Sequence, residues 1–214
     1  LDERTREARE RHGHLDWTIL ANLTQVELLA RGPEPLALEA ARLAFEPVLG
    51  EDLACVGNGN LEDAILDQLM ARGETLAVAE SMSGGLLASR LTAIPGASAA
   101  FLGGATAYTV AAKAALLGLD PAWLAQVGTV SEACAVAMAE AARQRLGATW
   151  ALAIAGNAGP GAEGGAPVGT VFIALAGPAG TQVRAPKMAG DRAEIQLRST
   201  AQALDLLRRS LRNG

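Results

Sequence analysis

Histidine is nearly missing from this 214-residue chain, and its two copies, His12 and His14, lie in a charged N-terminal stretch. That excludes a Ser-His-Asp triad in the main body and argues against a His-ligated metal site. Cysteine is equally sparse: Cys55 and Cys134 form no CxxC pair, so neither a disulfide scaffold nor a zinc site is expected, and a reducing cytoplasm is the default compartment. No metal and no cofactor is called for. Aromatic residues make up 3% of a chain that is 50% hydrophobic, so the core must be built from Ala, Leu, Val and Ile. Long apolar runs are also lacking. The uncharged windows 92–112, 146–162 and 164–183 are interrupted by Gly and Pro and filled with Ala, Ser and Thr, which suits buried strands and loops rather than a membrane span. Excess positive charge is absent too: the net charge of −5 argues against phosphate-driven nucleic-acid binding. No signal peptide opens the chain, and without an initiator Met it reads as a piece of something longer.

What remains is a short chemical inventory. Lysine occurs only at 113 and 187 and tyrosine only at 108, so any proton shuttle must use these or a carboxylate. Residues 1–58 read as a small α+β module. It holds a polar helix or arm over 1–13, two strands within "DWTILANLTQVELLARG", a helix in "PEPLALEAARLAFEPVLG" and a possible third strand in "LACV". The "GNGN" break at 57–60 follows, with Asn60 set to cap the next helix. Strands then alternate with helices: "TLAVA", "GATAYT", "TWALAIAG" and "VGTVFIAL" as strands, and "SAAFLGG" as a short helix or loop. Caps are expected at Asp120, before Pro121, and at Ser131, and a long helix closes the chain. This predicts an α/β fold, a three-layer α/β/α sandwich with a mostly parallel sheet over residues 59–214. A late hairpin adds an antiparallel element.

Three stretches hold candidate chemistry. "AESMSGG", at 79–85, joins a strand to a helix. Open α/β sheets place ligands at such joints, and two glycines admit close approach to the backbone. Either Ser81 or Ser83 caps the helix, or a serine is presented as a nucleophile beside helix N–H groups that favour an anion. "AYTVAAK" sets Tyr108 five residues before Lys113. Lys113 is either a desolvated general base or a side chain reaching out to water, with Tyr108 as proton shuttle or as core filler. "GPGAEG", at 159–164, matches GxGxxG, but a strand follows it rather than a helix, so the dinucleotide-binding reading fails; what stays open is a loop or a wall over a small ligand. Arg192, just after the Gly190-Asp191 turn, could reach a ligand phosphate.

Taken together and in order, "AESMSGGLLASRLTAIPGASAAFLGGATAYTVAAKAALLG", "TVSEACAVAMAEAARQRLGATWALAIAGNAGPG" and "PVGTVFIAL" resemble the C-terminal domain of the CinA (competence/damage-inducible) family over about residues 60–212. That domain is also the bacterial nicotinamide mononucleotide deamidase. The resemblance implies a metal-free amidohydrolase that converts nicotinamide mononucleotide to the acid and ammonia, cytoplasmic and homo-oligomeric, with residues 1–58 as the KH-like linker module of CinA proteins. It also implies roles: Ser81 as nucleophile, Tyr108 and Lys113 as its partners, and Ser83, Gly84, Gly85, Ser98, Gly156, Asn157, Gly159 and Arg192 around the substrate. The family usually reads AESCTGG and TGIAGPGG. Here Met82, Ser83, Ala155 and Asn157 depart from it, and Gln196 stands where a second Arg of the last helix is usual. These departures leave a second reading open, a domain that keeps the fold but works as a nucleotide-binding or protein-interaction module.

Overall fold

The structure, a computed structural model, describes residues 2–57, 59–162 and 164–213. Asn58 of the "GNGN" break and Glu163 of "GPGAEG" lie outside the described residues. The chain divides into two compact units, residues 1–58 and 59–214.

In the first unit, helix α1 (Asp2–Arg11) packs with α2 (Pro35–Leu49), and β1 (Asp16–Ala21) pairs antiparallel with β2 (Val26–Arg31). Trp17 on the hairpin stacks at a tilt on Phe45 of α2, with ring centroids 5.0 Å apart. The expected third strand at "LACV" is corrected: residues 53–56 are irregular. Four apolar residues do not make a strand without an edge to pair with.

In the second unit the elements run α3 (Leu61–Arg72), β3 (Leu76–Glu80), α4 (Leu86–Thr92), β4 (Phe101–Thr106), α5 (Val110–Leu117), α6 (Pro121–Val127), α7 (Glu132–Leu146), β5 (Trp150–Gly156), β6 (Val171–Gly177), β7 (Gly180–Arg184) and α8 (Arg192–Asn213). The sheet order is β4-β3-β5-β6-β7. β3 pairs parallel with β4 and β5, while β6 runs antiparallel to both its neighbours, so four of the five strands point one way. The expected three-layer fold with a mostly parallel sheet is what the chain adopts.

Local signals set many boundaries. Asn60 forms a reciprocal capping box with Asp63, Asp120 caps α6 ahead of Pro121, and Ser131 caps α7. The strand expected at "GATAYT" starts earlier and ends sooner, at Phe101–Thr106. Pairing with β3 draws the poor strand former "GG" into the sheet, and the Thr109 hydroxyl, capping α5, takes Tyr108 out of it.

The strands alternate strictly between two different cores. Leu76, Val78, Leu152, Ile154, Val171, Ile173 and Leu175 point to the face covered by α3, α4 and α8. Ala77, Ala79, Ala151, Ala153, Ala155, Ala174 and Ala176 point to the face under α5 and α7. That parity, carried past Val78 and Ala79, sends Glu80 toward α4 and Ser81 toward α5. Among the described residues, no helix is long and apolar enough to cross a membrane.

Candidate active site

β3 lies between β4 and β5, both parallel to it and later in the chain: the chain leaves β3 to one side for β4 and then crosses back to the other side for β5. Open α/β sheets bind ligands outside the carboxyl ends of strands at this kind of switch point. Ser81 is the first residue beyond β3. Its N–H continues the ladder to the Ile154 carbonyl at 3.0 Å. Its Oγ meets Lys113, which reaches across from α5: Nζ donates to Ser81 Oγ at 3.0 Å and to the Ala107 carbonyl at 2.8 Å. Lys113 is 1% exposed, so of the two readings of its side chain the buried one holds and the solvent-reaching one is corrected. The Ala-rich face makes this possible. Small side chains at Ala77, Ala79 and Ala107 leave a long side chain room to lie against the sheet.

Glu80, 1% exposed, works on the opposite face. Its carboxylate accepts the N–H groups of Gly85 at 3.2 Å, Leu87 at 2.9 Å and Ala88 at 2.8 Å. It is the cap of α4, and the expected Ser81 or Ser83 cap is corrected: Gly85, at φ 98°, is the N-cap residue, where a side chain would be strained and none is needed. The anion-favouring N–H groups of this helix are thus filled by the protein itself. The Gly84 N–H donates to the Ser81 carbonyl at 3.1 Å. Gly84 and Gly85, expected to offer open donors, do not.

Tyr108 and Lys113 part company. The Lys113 amine turns inward to Ser81, whereas Tyr108, 52% exposed, accepts a hydrogen bond on its Oη from Arg192 Nη2 at 2.6 Å. Arg192 Nη1 also donates to the Gly159 carbonyl at 2.7 Å. Tyr108 follows β4 and Gly159 follows β5, on either side of β3. The Tyr108–Arg192–Gly159 bridge therefore spans the strand end from which Ser81 projects. Both oxygens on the guanidinium are uncharged, and among the described residues Arg192 makes no ion pair.

Asn157 is corrected from substrate ligand to loop clamp. Its Nδ2 donates to the carbonyls of Gly161 (2.8 Å) and Ala166 (3.0 Å), and its Oδ1 accepts the Gly159 N–H at 2.8 Å. Gly156 ends β5 where a Cβ would come within 2.7 Å of the Thr170 carbonyl, a close approach that explains the glycine without a ligand. Ala155 is fully buried in the alanine face. Gln196 donates from Nε2 to the Met82 carbonyl at 2.6 Å, tying α8 to the serine loop. Ser98 is not brought to the site: it precedes β4, which is parallel to β3, and so lies at the opposite end of the sheet from Ser81, on the lining of a shallow cavity of about 310 Å³. A second cavity, of about 460 Å³ between Glu140, Arg143, Ala148 and Thr181, is also at that far end. Among the described residues, no group of three or more His, Cys, Asp or Glu is placed to hold a metal ion.

The residues missed by sequence reasoning are Glu80 and Gln196 in these positioning roles. For Glu80 a signal existed in the strand parity, which separates it from Ser81; for Gln196 there was none.

Comparison with known proteins gives a consistent match. A family model described as "CinA C-terminal domain" matches residues 58–211. A CinA-like protein of Frankia casuarinae is 42% identical over 214 residues, covering 98% of this chain and 49% of that protein. A CinA-like protein of Geobacter metallireducens is 46% identical over 198 residues, covering 88% and 47%. The chain thus spans about half the length of the curated relatives it matches. Among solved structures, a CinA superfamily protein from Klebsiella pneumoniae aligns with a TM-score of 0.67 at 32% identity, covering 70% of this chain and 94% of that one. Competence/damage inducible protein CihA from Agrobacterium tumefaciens aligns with a TM-score of 0.67 at 34% identity, covering 74% and 99%.

Proposed function

The chain belongs to the CinA family, and from that premise we propose that it hydrolyses the carboxamide of nicotinamide mononucleotide, yielding the carboxylic acid and ammonia. The observation that carries this reading is the buried Ser81 Oγ–Lys113 Nζ contact at 3.0 Å, at the carboxyl end of the central strand. Desolvation favours the uncharged amine over the ammonium, and as the amine Nζ accepts the serine proton along the same line. Ser81 Oγ then bonds to the amide carbon, and the carbonyl electron pair moves onto oxygen. Collapse of that adduct breaks the C–N bond, with the proton on Lys113 going to the leaving nitrogen. Water, deprotonated by Lys113, attacks the acyl-serine and regenerates Ser81. No histidine is required.

Arg192 supports an anionic substrate. Its guanidinium rests on two neutral oxygens across the mouth of the site, and a phosphate offers it a charged, bidentate partner in their place. The positions that depart from the family pattern support retention of the chemistry, because Asn157 and Gln196 spend their amides on the loop backbone and Ala155 lies in the core.

The test is incubation with nicotinamide mononucleotide, following ammonia and the acid product. Turnover by the intact chain that vanishes in Ser81→Ala and in Lys113→Met supports the reading. Absence of turnover by the intact chain overturns it.

A further inference from the structure

We propose that the Ser83 hydroxyl is the side-chain donor of the oxyanion site. The inference rests on the Ser81 acyl-transfer reading and adds a catalytic residue to it. Around the turn that presents Ser81, the polar groups are committed one after another. The Ser81 carbonyl takes the Gly84 N–H, the Ser83 carbonyl takes the Leu86 N–H at 3.2 Å, and the Met82 carbonyl takes Gln196. The N–H groups of Gly85, Leu87 and Ala88 go to Glu80. One side chain stands out: Ser83 is 3% exposed, and its Oγ has no hydrogen-bond partner among the described residues.

A buried hydroxyl without a partner is rare, because its desolvation is not offset. It sits two residues from the nucleophile, on the same hydrogen-bonded turn, in a loop whose geometry Glu80 and Gln196 hold from either side. A donor fixed in advance and idle in the resting protein is what stabilisation of a transient oxyanion requires. When Ser81 Oγ bonds to the amide carbon and the carbonyl pair moves to oxygen, the Ser83 O–H donates to that oxygen; when the C–N bond breaks, the pair returns and the donor is released. No proton leaves Ser83.

The experiment compares the intact chain with Ser83→Ala and Ser83→Thr, measuring kcat and KM for nicotinamide mononucleotide, and Tm. The expected result is a drop of about 100-fold in kcat for Ser83→Ala with KM nearly unchanged, recovery to within about tenfold in Ser83→Thr, and an unlowered Tm. Unchanged kcat in Ser83→Ala overturns the proposal, as does a kcat loss accompanied by a lowered Tm, which marks a structural role. A second arm separates this from the choice of substrate. Phenylboronic acid forms a tetrahedral anionic adduct with a serine oxygen, and its affinity is measured in the same variants. If the intact chain ignores nicotinamide mononucleotide but binds the boronate, weaker binding by about tenfold or more in Ser83→Ala alone supports the donor role. Equal binding by Ser83→Ala, or no adduct on the intact chain, overturns it.

Discussion

The two faces of the five-stranded sheet differ in kind. Under α3, α4 and α8 lie Leu, Ile and Val, with Trp150 and Met188 at the margins. Under α5 and α7 lie alanines with Cys134, Met138, Leu117 and Leu124. The first face holds the domain together by area: a fully buried Leu or Ile is worth roughly 1.5–3 kcal/mol. The second buries less area per residue and lets α7 come close to the sheet. It also admits the one long polar side chain of the domain that ends on Ser81. Stability is concentrated on one side and reactive chemistry on the other, and strand alternation assigns neighbouring residues to each: Glu80 caps α4 on the aliphatic side and Ser81 meets Lys113 on the alanine side.

The largest test of this division is Lys113→Met. It is expected to lower turnover by on the order of 10³-fold or more, since nucleophile and base act as a unit, while leaving Tm equal or higher because a buried polar group gives way to an apolar one of similar length. Kinetics and thermal melts on the same samples check it; a large fall in Tm would mean that the alanine face depends on the lysine for its packing. Next, Leu152→Ala on the aliphatic face should cost about 2–5 kcal/mol in denaturant unfolding, through lost burial and a cavity. Ala153→Leu, one residue along and on the other face, should cost about 1–3 kcal/mol for the opposite reason, overpacking between β5 and α7. If Ala153→Leu were neutral, the alanine face would be loosely packed and the contrast would fail.

The smallest effect concerns Cys134. Burial pushes its thiol above the ordinary cysteine range; only in its ammonium form would the nearby Lys113 act the other way, without overcoming this. A raised pKa in the folded chain means that folding favours the protonated thiol. The associated stability is therefore present below the unfolded cysteine pKa and is lost as pH rises through the folded one. Iodoacetamide at neutral pH should accordingly modify Cys55 before Cys134, with Cys134 reacting only on unfolding.

Much of the fold was legible in the residues. Apolar runs located β3, β5 and β6, and the helix starts at Asn60, Asp120 and Ser131 were readable because each cap is a contact between residues two or three apart in the chain. β4 was placed three residues late, since "FLGGAT" has little strand character of its own and is held in the sheet by β3. The site was legible in part. Ser81, Tyr108 and Lys113 stood out by scarcity and by family resemblance, yet neither says which side chain touches which. The resemblance made Tyr108 and Lys113 both partners of Ser81, whereas the fold brings only Lys113 to Ser81 and gives Tyr108 to Arg192, 84 residues away. The resemblance placed Asn157 around the substrate, but it spends its amide within its own loop. Ser98 looked like a site residue, but parallel pairing of β3 and β4 sends it to the far end of the sheet.

The sequence by itself determined the order of elements, the helix caps and which strand residues share a face, because these follow from contacts between near neighbours and from the two-residue period of a strand. It also limited any proton shuttle to lysine, tyrosine or a carboxylate by supplying no histidine beyond residue 14. Only the tertiary structure decided that Lys113 reaches Ser81, that Glu80 fills the N-terminus of α4, that Arg192 bridges Tyr108 and Gly159 and that the Ser83 hydroxyl is buried with no partner among the described residues. Each of these depends on sheet order and helix packing, which bring together residues from separate elements or enclose them beneath several.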